Sequence, residues 1–145
     1  MILRATELAI QGLLQAAIDS VSASPGNVPV LLSDSGEIKV PMPYVVIQCT
    51  DEEELITPGC GIFKVSGELH FRSHAKATTP EERQTILNAI NNFAYDTTAA
   101  KLSLVENFHC HGWHPTTGVM TVEPETKSYL YVMKYWVYCM AMDNT

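Results

Sequence analysis

"IFKVSGELHFRSHA", Ile62 to Ala75, alternates along its whole length. Phe63, Val65, Gly67, Leu69 and Phe71 fall on one side of an extended chain, and Lys64, Ser66, Glu68, His70, Arg72 and His74 on the other. Side chains on a strand repeat every two residues, so one face looks into a core and the other meets water or a partner. That pattern belongs to a sheet covered on one face, the usual state of antiparallel sheets.

The flanking segments agree with this. Downstream, "TPEERQTILNAINNFAYD" opens with Thr79 and Glu82 at capping-box spacing around Pro80, which suits the first helical position. Ile86, Leu87, Ile90, Phe93 and Ala94 then form an apolar helical stripe. Near the start, "ATELAIQGLLQAAIDSVSAS" places Ile10, Leu13, Leu14, Ala17, Ile18 and Val21 three and four residues apart, a second amphipathic helix. Pro25 and Gly26 stop it.

Between the helices, "VPVLLSDSGEIKVPMP" reads as two short extended pieces around a turn at Asp34–Gly36, and its prolines make it an edge or a connector. "PYVVIQCT" is a β-branched run and a buried strand, and "TPGCG" is a turn. Two strand segments close the chain, "FHCHGWHPTTGVMTVEP" and "SYLYVMKYWVYCMAM". The last is apolar on both faces apart from Lys134, so it is central or lies under a partner subunit. The expected fold is α+β: an antiparallel (mixed) β-sheet with two α-helices packed on one face, in a single domain over 1–145.

Composition narrows the function. A chain of 145 residues, 46% hydrophobic and 17% charged, buries a single core. A formal net charge of −7, with nine scattered basic residues, disfavours nucleic-acid binding. No apolar run approaches the roughly 20 residues of a membrane span, and Arg4 and Glu7 interrupt any leader-like start. Cys49, Cys60, Cys110 and Cys139 form no C-x-x-C pair and are expected to be reduced thiols.

Histidines cluster in "NFHCHGWHPTT", where His109 and His111 share one face of a strand about 7 Å apart at their Cα atoms. Zinc requires a third or fourth ligand, and His114 would have to come round past Gly112 while His70 or His74 came from another strand. A histidine-rich polar sheet face is the expectation, with neither metal nor cofactor. Cys110 projects opposite to both neighbouring histidines, which disfavours a nucleophile–base pair, and the chain has no G-x-S-x-G elbow. Gly59 and Gly61 precede no helix that could cradle a phosphate. Asp51, Glu52, Glu53 and Glu54 are consecutive, unlike the spaced ligands of a calcium loop, and read as a solvated acidic loop or a charged contact with a neighbouring subunit.

The order of elements resembles the tail terminator, or tail-completion (minor tail), family of long-tailed bacteriophages. The resemblance runs through the opening helix, "PMPYVVIQCTDEEEL", "GIFKVSGELHFRSHA", the capped helix and the closing "YLYVMKYWVYCMAM". It implies a structural subunit, not an enzyme, that forms a hexameric ring, caps the tail tube to end its polymerisation and offers a surface to head-completion or connector proteins. The partners implied are further copies of the chain, the tail-tube protein and the connector. The location implied is the head-proximal end of the virion tail, after assembly in the host cytoplasm. Tyr131, Tyr135, Trp136 and the acids Asp51–Glu54 are candidates for subunit interfaces, with plain core as the alternative for the aromatics. Two other readings stand beside this one: another phage neck or tail-tube component, and a small zinc-binding module or metal-dependent enzyme using His109, His111 and His114. The segments Ser33–Val40 and His114–Gly118 are expected to order only in an assembly.

Overall fold

The alternating segment forms the 13-residue strand β3 (Ile62–His74), and its odd-numbered positions from Val65 to Ser73 are buried. The computed structural model describes residues 2–21, 28–32, 43–55, 61–74, 80–95, 108–125 and 127–141. Before β3 come α1 (Ile2–Val21), β1 (Val30–Leu32) and β2 (Tyr44–Glu54). After it come α2 (Pro80–Tyr95), β4 (Phe108–Pro115), β5 (Val119–Glu123) and β6 (Ser128–Ala141). The strands form one mixed sheet in the order β1-β2-β3-β6-β4, with β5 also paired to β6. The fold is α+β, as expected.

β6 is central. It lies antiparallel to β3 along its length, from His74 opposite Ser128 to Ile62 opposite Met140. On its other side β4 pairs with its second half and β5 with its first. β4 and β5 therefore act as one strand broken at Thr116–Gly118, where the Thr116 N–H still donates to the Lys134 carbonyl at 2.8 Å. The segment from His114 to Gly118 is thus tied to β6 within the subunit, while Ser33–Val40 lies outside the described residues.

Both helices cover the same face. Ile10, Leu14 and Ile18 of α1 and Ile86, Ile90 and Phe93 of α2 pack into a cluster with Val45, Ile47, Leu69, Phe71, Met133 and Val137 of the sheet. Burying each large aliphatic side chain contributes about 1.5–3 kcal/mol. Leu13, expected on the apolar stripe of α1, is 42% exposed, because the buried row runs at i, i+4, i+8 through Ile10, Leu14 and Ile18. α2 begins at Pro80 with Glu81 and Glu82 in its first turn, where the helix dipole favours carboxylates. The Thr79 cap lies outside the described residues. Arg83 secures this end: Nε donates to the Ser73 hydroxyl at 2.9 Å, and the guanidinium lies 4.2 Å from the Tyr129 ring centroid.

β1 takes the edge expected of its segment and joins the mixed sheet parallel to β2, with Val30 opposite Val45; three residues on a proline-rich connector do not reveal their direction. Two further features depart from the sequence-based expectations. Asp51–Glu54 continues β2 and is not a loop: past a bulge after Cys49, Asp51 pairs with Ser66 and Glu54 with Phe63. The hairpin ladder there outweighs the low strand propensity of acids. Cys139 is disulfide-bonded, against the expectation of reduced thiols, and Cys110 stands opposite it in the β4–β6 register. Cys49 is a free, buried thiol.

Two tyrosines are accommodated by glycines. A Cβ at Gly67 would lie 2.5 Å from the Gln48 carbonyl oxygen and 2.6 Å from the Tyr135 hydroxyl, so only glycine lets that ring lie across β3. At Gly118 a Cβ would collide with the Tyr131 ring. Bare glycine backbone next to an aromatic ring on a neighbouring strand is a recurrent stabilising device in sheets.

Candidate functional site

The face of the sheet opposite the helices carries the chemistry left outside the core. Even-numbered residues of β3 and β6 point there. β6 contributes Leu130, Val132, Trp136, Tyr138 and Met140 around the exposed Lys134, and β3 contributes Lys64, Ser66, Glu68, His70 and Arg72. Among the described residues no helix packs on this face.

Trp136 is its centre. The Lys64 ammonium lies 5.3 Å from the indole centroid, within cation–π reach. The ring of His114 stacks on the indole from the β4 side at 5.3 Å and 19°, and meets Tyr138 edge-on at 5.5 Å. Beside Trp136, a shallow depression is lined by Thr50, Ser66, Glu68, Thr116 and Lys134. At the far end Arg72 bridges β6 to reach the Glu123 carboxylate at 2.5 Å and the Ser128 hydroxyl at 3.4 Å. His70 hydrogen-bonds Glu68 on the same strand at 3.0 Å.

The predicted interface residues divide. Tyr131 and Tyr135 are in the core on the helix side, 8% and 1% exposed, and not at the surface. The Tyr131 hydroxyl donates to the Asn91 side chain of α2 at 3.1 Å, and Tyr135 makes a buried 3.4 Å contact with the Cys49 sulfur. Burial pushes the Tyr131 hydroxyl above its usual pKa and the Tyr135 hydroxyl well above it. Trp136 is on the open face. Asp51, Glu52 and Glu53 are exposed at the end of β2, while Glu54 is half-buried and accepts the Gly61 N–H at 3.2 Å.

For the histidines, register sets His109 opposite Met140, His111 opposite Tyr138 and His114 opposite Trp136. The bulge between His111 and His114 adds the residue that brings all three positions to the open face, which simple alternation past Gly112 would not do. The side chains of His109 and His111 lie outside the described residues. Among the described residues no group of three His, Cys, Asp or Glu side chains is placed to hold a metal ion.

Sequence reading passed over two features. Glu7 is buried within α1 and its carboxylate accepts the Cys49 N–H at 2.9 Å, at the β2 bulge. Its place on the inner face of α1 was legible from the helical spacing to Ile10 and Leu14. Val119, Met120 and Val122 stand exposed along β5. A β-prone run bracketed by Gly118 and Pro124 was the available signal.

The sequence matches no protein-family profile and no curated protein. Among the described residues no helix is long and apolar enough to cross a membrane.

Proposed function

We propose that this chain is a structural subunit of a phage tail that closes into a ring, caps the tail tube, ends its polymerisation and presents the surface that joins tail to head. The observation that carries this reading is the one-sided sheet. Both helices pack on one face, and the other displays an apolar stripe along the longest strand beside a row of charged and polar side chains. Such a face fits a partner protein better than bulk water. A ring needs two different patches on each subunit; the register sets Asp51 opposite Ser66 and Glu53 opposite Lys64, so the open face carries an acidic margin at the end of β2 and an apolar stripe on β6, two patches of different character. The resemblance in element order supplies the identity of the ring. A hexamer with the tail-tube and connector proteins as partners, located at the head-proximal end of the virion tail, follows from it.

The test is the solution mass of tag-free protein by light scattering, with negative-stain images of the main peak. Annular particles of about six 16.0 kDa subunits are expected. Adding such particles to polymerising tail-tube protein should halt tube growth. Particles that join tubes without halting growth would identify another neck or tail-tube component instead.

A zinc-binding module is the second reading, favoured by the bulge that sets positions 109, 111 and 114 on one face. Stoichiometric zinc in tag-free protein, with loss of stability on chelation, would replace the ring reading, because metal affinity becomes folding energy.

A further inference from the structure

The two edges of the sheet are finished differently. At β1 the outward backbone groups are taken by side chains of α1: Gln11 Nε2 donates to the Val30 carbonyl at 2.8 Å, Gln15 Nε2 to the Val28 carbonyl at 3.0 Å, and the Val30 N–H donates to Gln15 Oε1 at 2.8 Å. No strand can add there without displacing both glutamines. Proteins commonly blunt such edges by covering them, or with lysine, proline or a bulge. Among the described residues nothing covers β5, and "VMTVE" holds no lysine, proline or bulge. Val119 and Val122 are 59% and 60% exposed and Met120 is 37% exposed, so β-prone apolar side chains stand out on both faces of this edge strand.

We infer that β5 pairs with β5 of a second copy of this chain, antiparallel about a two-fold axis through Thr121. The strand is self-complementary in that register. Met120 lies opposite Val122 of the second copy, Val119 opposite Glu123, and Thr121 opposite itself. Apolar and β-branched residues meet across the junction, and no like charges face each other. The one acid, Glu123, is already held by Arg72 of its own chain. Pro124 follows the five residues and opposes a register slipped towards it, which would bring a residue with no N–H into the ladder, and Gly118 on the other side offers no side chain to pair in the opposite slip. Outward-facing N–H and C=O groups of alternate residues supply the hydrogen bonds. This contact goes beyond the ring reading: ring contacts are head-to-tail, whereas a two-fold pairing joins two subunits, or two rings, and stands or falls separately.

Cysteine cross-linking of the full chain reads this contact whatever the ring does. Under mild oxidation Thr121→Cys should form a covalent dimer on a non-reducing gel, doubling the 16.0 kDa band, while unsubstituted protein and Val119→Cys should not. Adding Met120→Lys and Val122→Lys to the Thr121→Cys chain opposes lysines in both pairs and should abolish the dimer. Met120→Glu with Val122→Lys opposes unlike charges and should restore it. Circular dichroism of each variant checks that the subunit is folded. No dimer from folded Thr121→Cys would overturn the inference, and so would equal cross-linking of Val119→Cys.

Discussion

The Tyr135 hydroxyl of β6 reaches across Gly67 of β3 to the Cys49 sulfur of β2, 3.4 Å away, so one side chain links three neighbouring strands beneath the helices. Glu7 of α1 closes the group from above through the Cys49 N–H. This polar knot lies among the apolar side chains of the core, and its titration and packing are measurable.

Burial pushes the Cys49 thiol up from 9.0 to about 12; the Tyr135 hydrogen bond opposes this and the nearby Glu7 charge adds to it. Tyr135 moves in the same direction, first through burial. Both groups are acids whose folded pKa exceeds the unfolded one, so the folded state holds more protons in the alkaline window. The Cys49 contribution to stability is complete below pH 9.0 and is lost as pH rises towards about 12, and that of Tyr135 is complete below pH 10.0 and is lost above it. Cys49 alone gives a slope of up to about 1.4 kcal/mol per pH unit. Urea midpoints measured across that window should fall, and fall less steeply in Cys49→Ala. An equally steep decline in the variant would assign the loss to other groups.

Gly67→Ala forces a methyl group to 2.5 Å from the Gln48 carbonyl oxygen and 2.7 Å from the Tyr135 ring carbon that bears the hydroxyl. Both neighbours are fixed, one by the backbone ladder and the other by burial at 1% exposure. Overpacking of this kind costs about 1–3 kcal/mol. Equilibrium denaturation should show that loss, with the α+β circular dichroism spectrum retained. A fully stable Gly67→Ala protein would mean that Tyr135 does not occupy this position.

Much of this arrangement was legible from residue order, and the limits have physical causes. The alternation of β3 fixed which of its faces is buried, and Pro80 marked the start of α2. β6 was legible as central because both of its faces are apolar, and for the same reason nothing in its pattern separated the core tyrosines from Trp136 on the open face. The glycines that receive the Tyr131 and Tyr135 rings lie far away in sequence, at 118 and 67. The parallel direction of β1, the strand character of Asp51–Glu54 and the bulge that aligns the histidine positions depend on register with distant strands. Local propensity carries no such information.

Glu7→Ala and Glu7→Gln should separate sharply. Alanine leaves the buried Cys49 N–H without its acceptor, a penalty of about 1–3 kcal/mol. Glutamine keeps an oxygen at the same reach and should preserve most of the stability. Thermal melts of the two variants side by side would decide. Equal losses would show that the negative charge, and not the accepted hydrogen bond, is what the bulge requires.

The disulfide at Cys139 predicts a specific peptide. Cys49 is free, and in the ladder the residue opposite Cys139 is Cys110. Non-reducing peptide mapping of protein alkylated before digestion should recover the Cys139 peptide joined to the one containing Cys110, and reduction should cost about 2–4 kcal/mol. Recovery of Cys139 as an alkylated monomeric peptide would refute the bond.

The glutamines at β1 offer the sharpest test of how this sheet ends. Gln15 both donates to Val28 and accepts from Val30, and Gln11 takes the Val30 carbonyl. Replacing both by alanine leaves α1 its apolar stripe, since alanine is the best helix former, but strips three hydrogen bonds from the β1 backbone. Each is worth about 0.5–1.5 kcal/mol net, so stability should fall by about 1.5–4.5 kcal/mol. The newly bare edge should also promote association through β1. Amide exchange at Val30 should accelerate and the light-scattering mass should rise with concentration. Unchanged exchange at Val30 would show that its N–H is protected by something other than Gln15.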